Sequence, residues 1–326
     1  MKQDGRLKGR LKRIARLSAP PSGLLAMRAL NDRARATALA IVRPPQPKVY
    51  GRIGNLEVRL AAKRSDILRA QRLRYEVFYE EMSAKANTVA SMRRLDQDAY
   101  DAVCDHLLVV DTSSEAQPGE AWAHRRRARV VGTYRVLRQE IAERNLGFYT
   151  QSEYDIAPLV RAKSPRYRFM ELGRSCVLKP YRSKRSVELL WHGLWTYVRE
   201  HKVDVMIGCA SFEGTDPAAH AMALSYLHHY AQAPAEWRCS AHAGLHQRMD
   251  LIAKDKVDLK QALKAMPPLI KGYLRLGAFV GDGAVIDRQF GTTDVLIILP
   301  VEKIDPRYFE HFGAPDEVKS RVAQAA

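Results

Sequence analysis

Arg168-Phe169-Met170-Glu171-Leu172-Gly173-Arg174-Ser175-Cys176-Val177-Leu178-Lys179-Pro180 is the stretch that decides the fold. Its apolar residues read as a central strand, closed by Pro180. Within four residues it also holds a carboxylate, a glycine and a guanidinium. A strand seldom buries charges that are neither paired nor used. Glu171 and Arg174 are three apart, so a regular strand sends them to opposite faces. Gly173 between them is the residue type that permits a bulge, which would turn both toward one site. A structural ion pair within the sheet is the competing reading.

Working outward, the next strong signal lies downstream. Val187, Leu190, Trp191, Leu194, Trp195 and Val198 recur at helical spacing, predicting an amphipathic helix over 187–200. The apolar run Val205-Met206-Ile207-Gly208-Cys209 then reads as a buried strand. Strand, helix and strand in this order form a crossover between parallel neighbours. Asp216-Pro217 opens another helix, with Asp as cap and Pro in the first turn. Pro267-Pro268 and the run Gly277 to Gly283 follow, and the aliphatic segment Asp294 to Pro300 is a final buried strand.

Upstream, Leu56 to Ala61 alternates like a first strand, and Ser65-Asp66 caps a helix from Ile67 to Met82 that carries Arg74 and Phe78. An acidic loop with Asp96, Asp98, Asp101 and Asp105 leads into the strand His106 to Val110. After a polar loop containing Gly119 and Arg125-Arg126-Arg127 comes the strand Arg129 to Leu137. It places Arg135 on the face of Val131, Thr133 and Leu137. A short helix, Gln139 to Asn145, and the aromatic stretch with Phe148, Tyr149, Tyr154 and Tyr167 read as the wall of a pocket. The pattern predicts one α/β domain with a mixed sheet, its first strands antiparallel.

The chain has 326 residues and a formal net charge of +17. Residues 1–50 hold 12 Lys/Arg against 2 Asp/Glu, so the basic character is largely theirs. Leu7, Leu11, Ile14 and Leu17 form a narrow apolar stripe on a cationic body, a shape that suits an anionic membrane surface. A disordered solubilising arm and a nucleic-acid-binding arm are the other readings. Aromatic residues are absent before Tyr50, so nothing there stacks on bases. No run of 18 apolar residues predicts a membrane span, and no secretory signal is recognised, so cytoplasmic residence is expected. The four cysteines, Cys104, Cys176, Cys209 and Cys239, lack metal or redox spacing and read as reduced core thiols. His228-His229 and the pair His242 and His246 lack a third ligand at zinc spacing, and no metal is expected.

Lys179-Pro180-Tyr181-Arg182-Ser183-Lys184-Arg185-Ser186 precedes the 187–200 helix, so its cations and backbone N–H groups suit an anion. A solvated basic loop is the alternative. Neither a GxGxxG nor a Walker sequence is present.

Taken in order, Leu73-Arg74-Tyr75-Glu76-Val77-Phe78, Asp101 to Val109, Val131-Gly132-Thr133-Tyr134-Arg135-Val136-Leu137 and Glu171-Leu172-Gly173-Arg174-Ser175-Cys176-Val177 resemble the bacterial L-ornithine Nα-acyltransferases. These are relatives of the GNAT acyltransferases and of the acyl-homoserine lactone synthases. The similarity runs over roughly 55–300 and includes Asp287 to Asp294. It implies a GNAT-like fold: a mixed, mostly antiparallel twisted sheet flanked by helices, with splayed central strands. The expected layout is a basic tail over 1–50 and one acyltransferase domain over 51–326, extended from about 235. The implied reaction moves a 3-hydroxyacyl group from acyl carrier protein to the α-amino group of L-ornithine, giving lyso-ornithine lipid. An acyl-homoserine lactone synthase, an N-acyltransferase for another amino acid and a non-enzymatic membrane-surface protein on the same fold are the alternatives.

The resemblance also implies roles. Glu171, Arg174 and Arg135 fall at catalytic positions, with Glu171 as base. Arg74, Phe78, Asp96, Asp101, Ser175, Cys176 and Val177 fall at substrate-binding ones, Asp96 and Asp101 holding the acceptor's second amine. The pyrophosphate loop of the acetyl-CoA branch is missing, and Lys179, Arg182, Lys184 and Arg185 stand in its place. That favours a donor carried on the phosphopantetheine of an acidic carrier protein, with no bound cofactor. A cationic tail would keep the enzyme at the inner face of the membrane.

Overall fold

Strand and helix signals along the chain resolve into a nine-stranded sheet with helices packed on it. The computed structural model describes residues 47–82, 84–113, 128–305 and 308. The expectations placed on residues 1–46, and on Gly119 and Arg125 to Arg127, lie outside the described residues.

The chain begins with the hairpin β1 (Val49–Ile53) and β2 (Leu56–Leu60). β1 is unexpected and crosses the anticipated boundary at residue 50. Gly51 interrupts its apolar pattern, because the helix that carries His192 packs there: a Cβ at 51 would lie 2.5 Å from His192 Cδ2. Helix α1 (Arg64–Tyr75) runs on as a π-helical turn, Glu76–Glu81, and α2 (Thr88–Arg93) follows. Next come β3 (Asp105–Asp111), β4 (Arg129–Arg138), α3 (Gln139–Ala142), α4 (Ala157–Lys163) and β5 (Phe169–Val177). Helix α5 (Lys184–Glu200) leads to β6 (Val205–Glu213) and α6 (Ala221–Tyr230). The remainder is β7 (His246–Gln247), α7 (Leu259–Ala265), α8 (Pro268–Arg275), β8 (Phe279–Asp287) and β9 (Thr292–Pro300).

In space the strands run β1-β2-β3-β4-β5-β6-β9-β8-β7. Among the described strands only β5 and β6 pair in parallel, and α5 is the crossover between them. The Ser183 side chain accepts the Ser186 N–H and caps that helix. Leu189, Leu190, Leu194, Trp195 and Val198 bury its apolar face against the sheet, each worth about 1.5–3 kcal/mol as an upper estimate. Gly193 lets the helix lie close, since a Cβ there would sit 2.5 Å from Val58 Cγ2.

Two irregularities in the central strands position the site. The first is the splay. β5 and β6 pair only at Phe169↔Val205, Met170↔Met206 and Glu171↔Ile207, although both strands continue. Gly208 follows the last pair and brings its backbone against β5; a Cβ there would be 2.3 Å from Leu172 O. The second is a bulge. β4 pairs Thr133 with Cys176 but Arg135 with Gly173, so β5 carries one extra residue. The expected kink is therefore present, but glycine does not make it. Arg174 itself adopts the left-handed conformation, at φ +50. Contacts of its side chain with Phe290, Tyr149 and Asp98 offset the cost of that backbone.

Two apolar clusters lie on opposite faces of the sheet. One holds Tyr134, Leu172, Met206, Tyr273, Ile297 and Leu299. The other holds Leu137, Phe169, Val205, Ile207, Leu296 and Ile298. Successive residues of β9 divide between them, as strand alternation requires. Among the described residues no helix is long and apolar enough to cross a membrane.

Candidate active site

Where β6 leaves β5, a cavity of about 480 Å³ opens. Its lining comes from both faces of the sheet. Val77, Tyr134, Leu172, Met206, Tyr273 and Leu299 belong to one apolar cluster, and Pro268 and Leu269 of α8 stand beside them. Tyr149, Thr150, Glu153, Glu171, Cys209 and Asp294 make the polar part of the wall.

Glu171 is nearly fully buried. Its carboxylate accepts the Tyr149 N–H at 2.7 Å and the Thr150 N–H at 2.6 Å, from the first turn of a 3-10 segment, Tyr149–Ser152. Burial raises its pKa, and the Thr150 and Tyr149 hydrogen bonds and the Arg135 charge oppose the rise without cancelling it. The result is a fixed carboxylate, reluctant to ionise, at the edge of the gap.

Arg174 lines the same cavity, so the bulge does bring Glu171 and Arg174 to one site. The Arg174 guanidinium lies 4.3 Å from the Phe290 ring centroid and 5.1 Å from that of Tyr149. Nη2 donates to Asp98 Oδ2 at 3.3 Å, and Nε is 3.5 Å from Asp96 Oδ2 but has no hydrogen-bond partner. Burial lowers its pKa, but the charges of Asp96 and Asp98 and a hydrogen bond with Tyr149 more than offset that, so Arg174 stays charged.

Arg135 also reaches the cavity. Its Nη1 donates to both Asp98 oxygens, at 2.6 and 2.7 Å, and to Asp101 Oδ1 at 3.4 Å. Arg74 lies deeper, with no exposed surface. Its Nε donates to Asp96 Oδ2 at 2.7 Å, and Nη1 and Nη2 donate to Asp101 at 2.8 and 2.9 Å. Burial disfavours the Asp101 charge, but the Arg74 hydrogen bonds and charge hold its carboxyl well below the usual range. Arg74, Asp96 and Asp101 are absent from the cavity wall. The carboxylates expected to hold the acceptor's second amine thus face inward onto arginine. Through Asp98 the acidic loop holds both Arg135 and Arg174.

Ser175, Cys176, Val177 and Phe78 all line the cavity. Leu178 N–H donates to Val131 O at 2.9 Å, so it is occupied in the β4 ladder. Strand alternation turns the Val177 N–H the other way, into the gap vacated by β6. Burial pushes the Cys176 thiol up to about 12, and it raises Cys209 well above the ordinary value with help from Glu153. Both stay protonated and are poor nucleophiles.

The basic segment is surface. Lys179, Arg182, Lys184 and Arg185 are exposed. Arg182 pairs with Glu81, donates Nε to Val177 O at 2.9 Å and touches the cavity, which places it at the mouth. His242 Nε2 bonds Gln151 O at 2.9 Å and His246 Nε2 lies 3.7 Å from Asp282, so the two histidines have separate partners.

Glu153, Asp287 and Asp294 are site residues that sequence spacing does not reveal. Each offers a ligand oxygen, and these oxygens lie within 4.8 Å of one another in the cavity wall. Burial, then the Asp294 charge, pushes Glu153 up to about 7. Burial is also the main cause that carries Asp294 to about 6. One signal is available: Asp294 is a charge that heads the aliphatic run of β9, an anomaly akin to the one that singles out Glu171.

Residues 73–192 match the family model of the acetyltransferase (GNAT) domain. An L-ornithine N(alpha)-acyltransferase of Brucella abortus (strain 2308) is 53% identical over 266 residues, which cover 82% of this chain and 92% of that protein. Its counterpart from Rhizobium meliloti (strain 1021) is 52% identical over 283 residues, covering 87% of this chain and 93% of that one. Among solved structures, FeeM, an N-acyl amino acid synthase from uncultured soil microbes, aligns with a TM-score of 0.42 and 10% identity over 79% of this chain and 93% of that chain. With half of all positions identical across nearly the full length of two relatives, this splayed-sheet enzyme belongs to the L-ornithine N(alpha)-acyltransferase family.

Proposed function

We propose that this protein moves a 3-hydroxyacyl group from the phosphopantetheine thioester of an acyl carrier protein to the α-amino group of L-ornithine, giving lyso-ornithine lipid. The observation that supports this best is the cavity through the β5–β6 gap, with an apolar lining on one face of the sheet and carboxylates in its polar wall. An acyl chain and a cationic amine have opposite solvation needs, and the gap lets them meet from different environments.

Glu171 takes the proton of the α-ammonium, directly or through a water. Burial raises its pKa and so makes it a stronger base than a free carboxylate, and such transfer is worth roughly 10²–10⁴ in rate. The free amine attacks the thioester carbonyl and the oxyanion is held by the Val177 N–H; collapse breaks the C–S bond, and the departing thiolate takes the second proton of the new amide nitrogen, directly or through a water, and leaves as the thiol. One such donor is typically worth about 2.7–4 kcal/mol of barrier. Arg174, fixed by Phe290 and Asp98, receives the acceptor's α-carboxylate. Lys179, Arg182, Lys184 and Arg185 meet the acidic carrier protein and speed its arrival. The basic tail keeps the enzyme at an anionic leaflet, where an amphiphilic product belongs. The test is lipid extraction from cells that express the protein. Acylated ornithine should accumulate, and extracts without it would overturn the reading.

A further inference from the structure

The transfer chemistry leaves three carboxylates of the cavity wall without a task. We propose that Glu153, Asp287 and Asp294 form the receptor for the side-chain ammonium of the acceptor, and so select a diamino acid over a neutral one. The inference rests on the reading that the acceptor is an amino acid entering this cavity.

The geometry supports it in three ways. The three residues present oxygens within 4.8 Å of one another, and a primary ammonium has three N–H donors to match three acceptors. Two atoms of this wall are also unfilled. Asp294 Oδ1 and, outside the trio, Thr292 Oγ1 are buried in residues only 6% and 4% exposed, line the cavity, and make no hydrogen bond of ordinary geometry, although Ser211 and Thr292 stand close enough to Asp294 to favour its charge. A buried polar atom left without a partner is costly unless a ligand completes it. Finally, among the described residues none of the three carboxylates is in an ion pair.

Their fixed contacts leave the cavity side open. Asp287 Oδ1 accepts the N–H groups of Gln289 and Phe290 at 2.7 and 2.9 Å, which closes the β8–β9 turn. Glu153 Oε2 accepts only the weak Cys209 Sγ–H, at 3.1 Å. Cys209 also feels the charges of Asp294 and Glu171, so two of the trio and the base lie near one thiol. A cation placed among these carboxylates, two buried and one half-buried, would relieve the mutual repulsion that the charge of Arg174 only partly offsets.

The experiment compares L-ornithine with L-2-aminopentanoate, which has the same carbon chain and no side-chain amine. Wild type and the variants Glu153→Gln and Asp287→Asn are assayed for thiol release from acyl carrier protein; Asp287 is only half-buried, so its variant keeps the test alive if the other misfolds. The wild type is expected to prefer ornithine, and each variant is expected to lower that preference in kcat/KM at least 30-fold. A preference unchanged within threefold in a folded variant overturns the receptor while leaving the transfer reaction standing. A wild type that ignores ornithine instead overturns the reading beneath it. Loss of activity with EDTA that magnesium or manganese restores would make the trio a metal site and overturn the proposal.

Discussion

Gly208 presses on Leu172 at the point where β6 parts from β5: a Cβ at 208 would stand 2.3 Å from the Leu172 carbonyl oxygen. The contact is backbone on backbone, so no side-chain rotation can relieve it. Gly208→Ala is expected to lose about 1–3 kcal/mol of stability and at least tenfold in turnover. Gly272→Ala is the control, because nothing lies within 4 Å of a Cβ there in α8. That change should stabilise by about 0.5–1 kcal/mol. Urea midpoints and turnover decide it, and a Gly208→Ala protein that behaves like the control would contradict the account of the splay.

Arg74 and Asp101 act as scaffold, joined by two buried hydrogen bonds. Breaking this pair strands one charge, so Arg74→Met and Asp101→Asn should each cost about 3–5 kcal/mol. Asp101 is held below its ordinary pKa, so its contribution is present above that value and fades as pH falls through the acid range. Asp101→Asn should therefore flatten acid unfolding. A well-folded Arg74→Met protein with only a raised KM for ornithine would return Arg74 to the binding site.

Glu171→Gln tests the base. The substitution keeps one acceptor for the Tyr149 and Thr150 N–H groups and loses the other, so some stability, about 1–3 kcal/mol, goes with it. Turnover should fall at least tenfold in protein shown to be folded. Near-wild-type turnover would require another base, and Glu153 is the neighbour placed to serve.

Much of the fold is legible in the residues. Charge within an apolar run picks out β5, and the Leu and Trp spacing of α5 gives the crossover. What sequence does not give is which residue bends. Glycine is the local candidate, yet Arg174 takes the positive φ because Phe290, Tyr149 and Asp98, all remote in sequence, hold its side chain. β1 and β8 escape notice for a related reason. Gly51 makes way for His192, and Gly283 makes way for His246, so tertiary approach breaks their strand patterns. Asp96 and Asp101 read as a ligand site because their partner, Arg74, comes from a separate helix. Glu153 sits in an irregular stretch, with no periodicity to say that it turns inward beside Asp294.

The acidic trio also carries a stability signature. Glu153 rises from 4.5 to about 7 in the folded protein, mainly by burial. The unfolded chain gives up that proton first, so the folded state is favoured below about pH 4.5 and loses ground as pH climbs to 7. The difference is on the order of 3 kcal/mol. Glu153→Gln removes it, so the variant should gain on wild type between pH 5 and pH 8 in urea unfolding. Parallel pH profiles would contradict the burial of an ionisable group there.

The central claim is transfer from a carrier-bound thioester to ornithine, and thiol release from purified components tests it most directly. With 3-hydroxyacyl carrier protein as donor, free thiol should appear only when L-ornithine is added, and the product should be the Nα-acyl amino acid. Release that needs S-adenosylmethionine instead, or that proceeds equally without ornithine, would contradict it.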